Sequence, residues 1–295
     1  MQPADFLSAV FFYLKVGGNL NQNRIVENLN NAFSTWNGKL GELWGLVTTG
    51  PQTFKGGAVW SVMQTLHNGM VGIGYALVVL FFAISLCKNT MNFHELKRPE
   101  AAIHYFLRFV AAKTLVGYGM DIMLNVFSIC NGIVTDMADS MGGISEAMVS
   151  LPAEMQTAIE NVGFLASIPL WLVTILGSLF ITVLSFVMIL TVYGRFFRLY
   201  MYTALAPLPL AAFAGESTQS VGISFLKSYV GVCLEGAVIV LACVIYSAFV
   251  STPTVASGEA TTIVWSYLAE TVFNMLVLVG LIKGSDRIIH EMMGL

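Results

Sequence analysis

The chain has 295 residues, of which 56% are hydrophobic and 11% are charged, against roughly 25% charged in ordinary soluble domains. A soluble fold of this size cannot hide so much apolar surface, so the composition predicts an integral membrane protein. It excludes a disordered chain and a disulfide-stapled mini-protein. The net charge of −3 provides no basic field for a nucleic-acid-binding surface.

Residues 1–60 are predicted to form an amphipathic helical region outside the membrane. Within it, the apolar stretch 6–16 is too short to span and contains Lys15, so we interpret it as an interfacial or re-entrant helix. After it, apolar residues recur at steps of three and four, as in an amphipathic helix. They are Val26, Leu29, Phe33, Trp36, Leu40, Leu43 and Val47. Two interpretations are open: this stripe packs on the membrane or its own bundle, or it contacts sister subunits or an external partner.

Residues 61–295 are predicted to form a transmembrane domain, because long intervals lack charge. A spanning helix needs about 20 largely apolar residues. Five segments qualify: 68–87, 114–134, 164–192, 229–250 and 263–282. Asp121 interrupts the second segment, and Glu270 lies in the fifth. The predicted fold class is therefore all-α, a polytopic membrane bundle of about five helices.

Lys and Arg residues indicate the orientation of this bundle. They are concentrated in the connections 88–113 and 193–228 and in the C-terminal tail, whereas 135–163 and 251–262 contain acidic residues without Lys or Arg. Cytoplasmic loops carry the excess of Lys and Arg in membrane proteins. The pattern predicts an external N-terminus and a cytoplasmic C-terminus in a multi-pass protein of the cell membrane.

Three acidic residues, Asp121, Glu235 and Glu270, lie within the predicted spans. An acid at the bilayer centre costs roughly 2.5–3.5 kcal/mol on insertion scales, so it faces the bundle, water or a partner. No Lys or Arg lies within the predicted spans to pair with them. We therefore expect neutral, hydrogen-bonded packing or contact with a basic residue of another subunit, and a proton or ion path is the alternative.

Motifs for catalysis and metal binding are missing from the sequence. Cys87, Cys130, Cys233 and Cys243 lie in apolar surroundings without C-x-x-C spacing, and H-E-x-x-H, G-x-S-x-G and P-loop motifs do not occur. We expect no enzymatic activity, no metal site and no cofactor. The glycines at 72 and 74 are interpreted as small residues for close helix packing.

The stretch after the third predicted span is the most distinctive part of the chain. Arg195 and Arg198 lie one helical turn apart, where they can bind lipid phosphates or carbonyl oxygens at the cytoplasmic face. Aromatic residues around them predict an interfacial belt. They are Tyr193, Phe196, Phe197, Tyr200 and Tyr202.

Two prolines then interrupt the helix. Pro207 and Pro209 each remove a backbone donor, which predicts a broken turn before a helix restarts near Lys227. We call residues 195–209 the hinge. It is either a lipid-anchored hairpin or a docking platform for cytoplasmic partners.

The hinge and its surroundings resemble a known family. Three motifs carry the likeness: RFFR at 195–198, ALAPLPLA at 204–211 and FLKSY at 225–229. Together they resemble the TrbL family, the polytopic inner-membrane subunits of type IV secretion and conjugation systems. The likeness covers roughly 60–295, and the short ending resembles the compact version in conjugative elements of Gram-positive bacteria.

This resemblance implies an external N-terminus, five spans and an internal C-terminus. It also implies a channel or scaffold subunit that supports DNA and protein transfer, with membrane lipids, further copies of the chain, other secretion-channel subunits and ATPases as partners. Transient contact with transferred DNA belongs to the same expectation. The alternative function is a small-solute or ion transporter, followed by a membrane anchor without a transport role.

Overall fold

The computed structural model describes residues 3–90, 99–140, 148–249 and 260–295, which form helices and connections with no strand among them. The predicted all-α membrane bundle is confirmed. The parts of the predicted loops at 91–98, 141–147 and 250–259 lie outside the described residues. The helices are α1 (Pro3–Thr48), α2 (Ala58–Thr90), α3 (Pro99–Gly117), α4 (Gly119–Ser140), α5 (Ala153–Glu160), α6 (Phe164–Leu205), α7 (Pro207–Ala211), α8 (Gln219–Phe249) and α9 (Ala260–Met293).

Four helical segments of the described chain are long and apolar enough to cross a membrane. They are Phe54–Lys88, Ala166–Leu205, Gln219–Phe249 and Thr261–Met293. They contain four of the five predicted spans, but the predicted span 114–134 is not among them. In that segment a turn at Tyr118 separates α3 from α4, and α4 carries polar residues along one side. The predicted count of five therefore does not follow from helix length and apolarity alone.

The N-terminal region is one helix rather than two elements. α1 continues from Pro3 to Thr48, so the stretch 6–16 belongs to the same helix as the stripe. Gly38 and Gly41 do not interrupt it. Six of the seven stripe side chains, from Leu29 to Val47, are buried, whereas Val26 is half-buried because the buried face passes through Ile25. In this conformation the stripe contacts the chain itself and is not offered to a partner.

The described chain divides into two compact units, and α1, α6, α8 and α9 each contribute a segment to both. The first unit comprises Met1–Gly45, Met141–Thr191 and Leu241–Lys283. In it, the side chain of Asn37 both donates to the Val149 carbonyl (2.8 Å) and accepts from the Val149 amide (2.9 Å). Gln22 donates to the Val162 carbonyl at 2.5 Å. These bonds fix the chain around α5 against α1.

The second unit comprises Leu46–Ser140, Val192–Val240 and Gly284–Leu295. Its core lies where the short helix α7 and the 3-10 turn after it pack against α2 and α3. The apolar side chains of this core come from six helices. Its buried members include Val78, Ala112, Val116, Met123, Phe127, Leu199, Leu210, Ala211, Tyr229 and Val232.

Close packing in this core depends on Gly74, one of the two glycines singled out in the sequence. A Cβ at Gly74 would lie 2.9 Å from the carbonyl oxygen of Pro207 and 2.9 Å from Cγ1 of Val116. A Cβ at Gly72 would meet no atom within 4 Å. The predicted role in close helix packing therefore applies to Gly74 and not to Gly72.

We expect Gly74→Ala to destabilise the protein by about 1–3 kcal/mol, because the backbone of α7 must move to admit the methyl group. Gly72→Ala is the matched control and should be neutral or slightly stabilising, since alanine favours a helix and the position is open. Thermal unfolding of both variants in the same detergent measures the difference. Equal melting temperatures would contradict the packing role of Gly74.

A buried arginine and carboxylate network as the candidate functional site

Arg195 is fully buried in the second unit. Its guanidinium donates to three backbone carbonyls: Nε to Val232 (3.3 Å), Nη2 to Cys233 (3.2 Å) and Nη1 to Val47 (3.3 Å). The ring of Phe127 lies 5.9 Å from its central carbon, a cation–π distance. One side chain thus joins the end of α1, α6 and α8. The sequence suggested lipid phosphates or carbonyls as partners, and the structure assigns the carbonyls.

Gly236 makes the α8 carbonyls accessible. A carbonyl oxygen has two lone pairs, so one already bonded within a helix can accept a second donor. Such a donor needs space beside the next turn of the helix. A Cβ at Gly236 would lie 2.8 Å from Nη1 of Arg195, so any larger residue would displace the guanidinium.

Arg198, one turn further along α6, binds two carboxylates. Its Nη2 donates to both oxygens of Glu235 at 2.7 Å, and its Nη1 donates to Asp286. Glu235 is 1% exposed, and Ser285 of α9 donates to its Oε1 at 3.2 Å. A carboxylate held by one guanidinium nitrogen and a hydroxyl has the partners that its charge requires.

The expectation for Glu235 was wrong in one respect. The sequence offered no Lys or Arg within the spans as a partner, whereas Glu235 pairs with Arg198 of the same chain. The prediction failed because α6 continues past residue 192 to Leu205 and brings Arg198 beside α8. The two arginines and the carboxylates of Glu235 and Asp286 balance in formal charge.

The other two acids do not share this environment. Asp121, in the first turn of α4, and Glu270, on α9, are both exposed rather than enclosed in the bundle. The structure therefore does not bring the three acids together. Asp121 instead lines a groove with Asn125 and residues 50–52.

The predicted aromatic belt is mostly part of the core. Phe196 and Tyr200 are buried, Tyr193 and Tyr202 are half-buried, and Phe197 is 54% exposed. Only Phe197 has the exposure expected of a residue at the membrane surface.

The buried aromatics instead hold the connection between α1 and α2. Phe54 stacks on Phe196, with ring centroids 4.0 Å apart, and the Tyr200 hydroxyl donates to the Pro51 carbonyl at 2.9 Å. Lys55 adopts a left-handed φ of 51° in this turn, a conformation in which residues other than glycine are strained. The contacts with α6 hold the turn in place.

The proline segment of the hinge is also internal. α6 ends at Leu205, two residues before Pro207, as the prolines predict. Pro207 is buried, whereas Pro209 is half-buried. The following helix begins at Gln219, eight positions before the predicted restart at Lys227. Neither a surface hairpin nor an exposed platform describes this segment, because α7 packs against α2 and α3.

The residues that sequence reasoning missed are Gly236, Ser285 and Asp286. Gly236 had a possible signal, since a glycine follows directly after the buried acid Glu235. Ser285 and Asp286 lie about 50 positions away on α9, and nothing local links them to Glu235. The network has no activated nucleophile or proton-relay geometry, and its chemistry is that of a fixed set of paired charges.

The apolar helices, and the ion pairs buried between them, define a polytopic α-helical membrane protein. Residues 36–207 match the family described as TrbL/VirB6 plasmid conjugal transfer like protein. The match covers more than half of the chain, so the protein belongs to this family and is a component of a conjugal transfer or type IV secretion system. Comparisons with curated proteins and with solved structures gave no match.

The family match confirms the resemblance drawn from the hinge motifs, but its limits differ. It begins within the stripe at Trp36 and ends at Pro207, so it includes both arginines and excludes Glu235. The likeness of the C-terminal third therefore rests on the motifs alone.

We expect Arg198→Met to destabilise the protein by about 3–5 kcal/mol, because it leaves Glu235 buried without its cation. The double variant Arg198→Met with Glu235→Met should recover much of this loss, since two apolar side chains replace the pair. Thermal unfolding of both single variants and the double variant gives the coupling energy.

Arg287→Ala is the control for this cycle. Arg287 pairs with Glu291 on the surface of α9, with side chains 86% and 66% exposed. Removing such an exposed pair should change stability by less than about 1 kcal/mol. Additive effects at Arg198 and Glu235 would show that the two charges are not coupled.

Proposed function

We propose that this chain is a channel or scaffold subunit of its conjugative secretion system and supports transfer of DNA and protein across the cell membrane. Several copies pack around a common axis, together with other channel subunits. ATPases on other chains supply the energy, and this chain contributes structure rather than catalysis.

The ion pair that Glu235 forms is the observation that most directly supports a scaffold role. A proton-coupled transporter needs an intramembrane acid that can exchange its proton during each cycle. Here both Glu235 oxygens accept from Arg198, and Oε1 also accepts from Ser285. Proton exchange would require breaking a buried ion pair, which is costly. This observation favours a static element over the alternative of a small-solute or ion transporter.

The exposed apolar surface of α2 supports contact with lipid or other subunits. Val62, Leu66, Ile73, Val79 and Leu80 are each 45% exposed or more. An apolar surface of this extent needs a cover of lipid or protein. We assign it to membrane lipid and to neighbouring subunits of the apparatus.

We further propose that α3 and α4 together form a fifth crossing. They run antiparallel to α2: Phe82 contacts Phe109 with ring centroids 4.9 Å apart, and His67 lies beside Gly119. The helical path over the predicted span 114–134 is roughly 30 Å long at the rise of an α-helix. That length matches a hydrocarbon core of about 30 Å.

Five crossings would place the termini on opposite sides of the membrane. The basic connection 88–113 and the chain around Ser217 then lie on the cytoplasmic side with the C-terminus, and the acidic connections lie outside with the N-terminus. The first part of the connection 193–228, which contacts Pro51 and Phe54, lies within the bundle. Four crossings would instead place both termini on one side.

The orientation can be measured with an impermeant thiol reagent in intact cells that express the Cys87→Ser protein, which lacks the exposed native cysteine. Ala153→Cys lies in the acidic connection and should react, whereas Ser217→Cys, in the basic connection, should react only after permeabilisation. Both positions are exposed, so burial does not decide the result. Reaction of Ser217→Cys in intact cells would contradict the proposed orientation.

The functional test is transfer frequency in cells that lack the gene, complemented with variants of this chain. Glu235→Gln should lower transfer strongly, because Arg198 loses the buried one of its two carboxylate partners. Glu270→Gln is the matched control on an exposed acid and should transfer normally. Membrane abundance, measured in parallel, separates loss of function from loss of protein.

Purification in mild detergent gives an independent result. A scaffold subunit should migrate in a large complex with the secretion ATPases. A lone monomer that a solute stabilises, together with full transfer by Glu235→Gln and none by Glu270→Gln, would favour the transporter instead.

A further inference from the structure

Helix α4 has three distinct faces. Successive residues of an α-helix are turned by roughly 100°, which places its polar side chains in one sector roughly 140° wide. We call this sector the polar face of α4. Its members are Asp121, Asn125, Ser128, Asn131, Thr135, Asp136 and Asp139.

The remaining two faces are apolar. Met123, Phe127, Cys130 and Val134 are buried against the core of the second unit. Ile129, 69% exposed, and its neighbour Ile133 lie in a third sector beside the polar face. That third sector suits contact with lipid, so a single helix carries a packed side, a lipid side and a polar side.

The polar face borders a groove of about 530 Å³. Asp121, Asn125, Ser128 and Asn131 line one side of the groove together with the apolar Leu124 and Phe127, and residues 50–52 line the other. Within this groove, Nδ2 of Asn131 donates to the Thr48 carbonyl at 3.2 Å, whereas its Oδ1 is buried and accepts from no group of the described chain. A buried acceptor without a protein donor is normally satisfied by water. The groove therefore has the character of a hydrated space.

Lipid cannot cover this face at low cost, because the Asp121 carboxylate and the amides of Asn125 and Asn131 would lose their hydration. We propose that the polar face of α4 lines the aqueous path of the assembled apparatus. This inference rests on the proposed channel function and on the crossing by α3 and α4.

The charge of the face specifies what the path admits. Asp121 lies within the proposed crossing, and Asp136 and Asp139 follow just after its end; all three are exposed, and α4 contains no Lys or Arg. Rings of acidic side chains attract cations in channels, and a negative surface repels the phosphate backbone of nucleic acid. The face accordingly accepts cationic solutes and basic segments of a polypeptide, and it disfavours bare DNA.

The test uses single cysteines in the full-length Cys87→Ser protein, assembled with its partner subunits in membranes. Asn125→Cys and Ser128→Cys probe the polar face, and Ile129→Cys and Ile133→Cys are matched controls on the lipid side of the same helix. Each variant is treated with a cationic and an anionic methanethiosulfonate reagent, and the Cys87→Ser parent gives the background from the buried thiols.

We expect the polar positions to react and the two isoleucine positions to stay at background. The cationic reagent should react faster than the anionic one by on the order of tenfold, because acidic walls concentrate cations. Asp121→Asn, added to Ser128→Cys, should reduce that ratio. Protection of the polar positions, or equal reaction on both sides of the helix, would overturn the inference by showing a protein-covered or non-specific surface.

An equal rate for the two reagents at reactive positions would overturn the charge assignment. The proposed function fails separately: if deletion of the gene leaves transfer unchanged, the chain is no essential subunit of the apparatus, whatever the labelling shows.

Discussion

The burial of Arg195 is the constraint around which the second unit is arranged. A guanidinium cannot lose its proton at physiological pH, so a buried arginine must be surrounded by acceptors. Three backbone carbonyls, from Val47, Val232 and Cys233, meet this need. Since these carbonyls belong to the end of α1 and to α8, satisfying one charge fixes three segments of the chain relative to each other.

Several neighbouring features follow from that arrangement. Gly236 must lack a side chain, because the guanidinium occupies the space beside it. Arg198, one turn later, is brought beside Glu235 of α8. Ser285 then bonds Glu235 and Asp286 bonds Arg198, which joins the end of α9 to both helices. The chain after Leu205 does not continue α6 through Pro207, so it forms the short helix α7 and packs against α2 and α3. Packing and charge pairing thus support the same local structure.

Polar residues of this membrane protein fall into two kinds. Those of the Arg195 network are buried and paired, which makes them costly to rearrange and suited to a fixed scaffold. Those of the polar face of α4 are mostly exposed, and four of them border a groove. The same residue types therefore serve stability in one place and contact with water in another, and their surroundings decide between the two.

The sequence by itself determined the properties that depend on local composition. Long apolar intervals require membrane helices, Pro207 ends α6, and the hinge motifs indicate the family. Tertiary structure alone decided which polar groups meet. An arginine at a span end fits a lipid phosphate as well as a carbonyl, and Glu235 lies 37 positions from Arg198. Likewise, the period of the α1 stripe cannot distinguish a partner from the chain's own helices, because both bury the same apolar face.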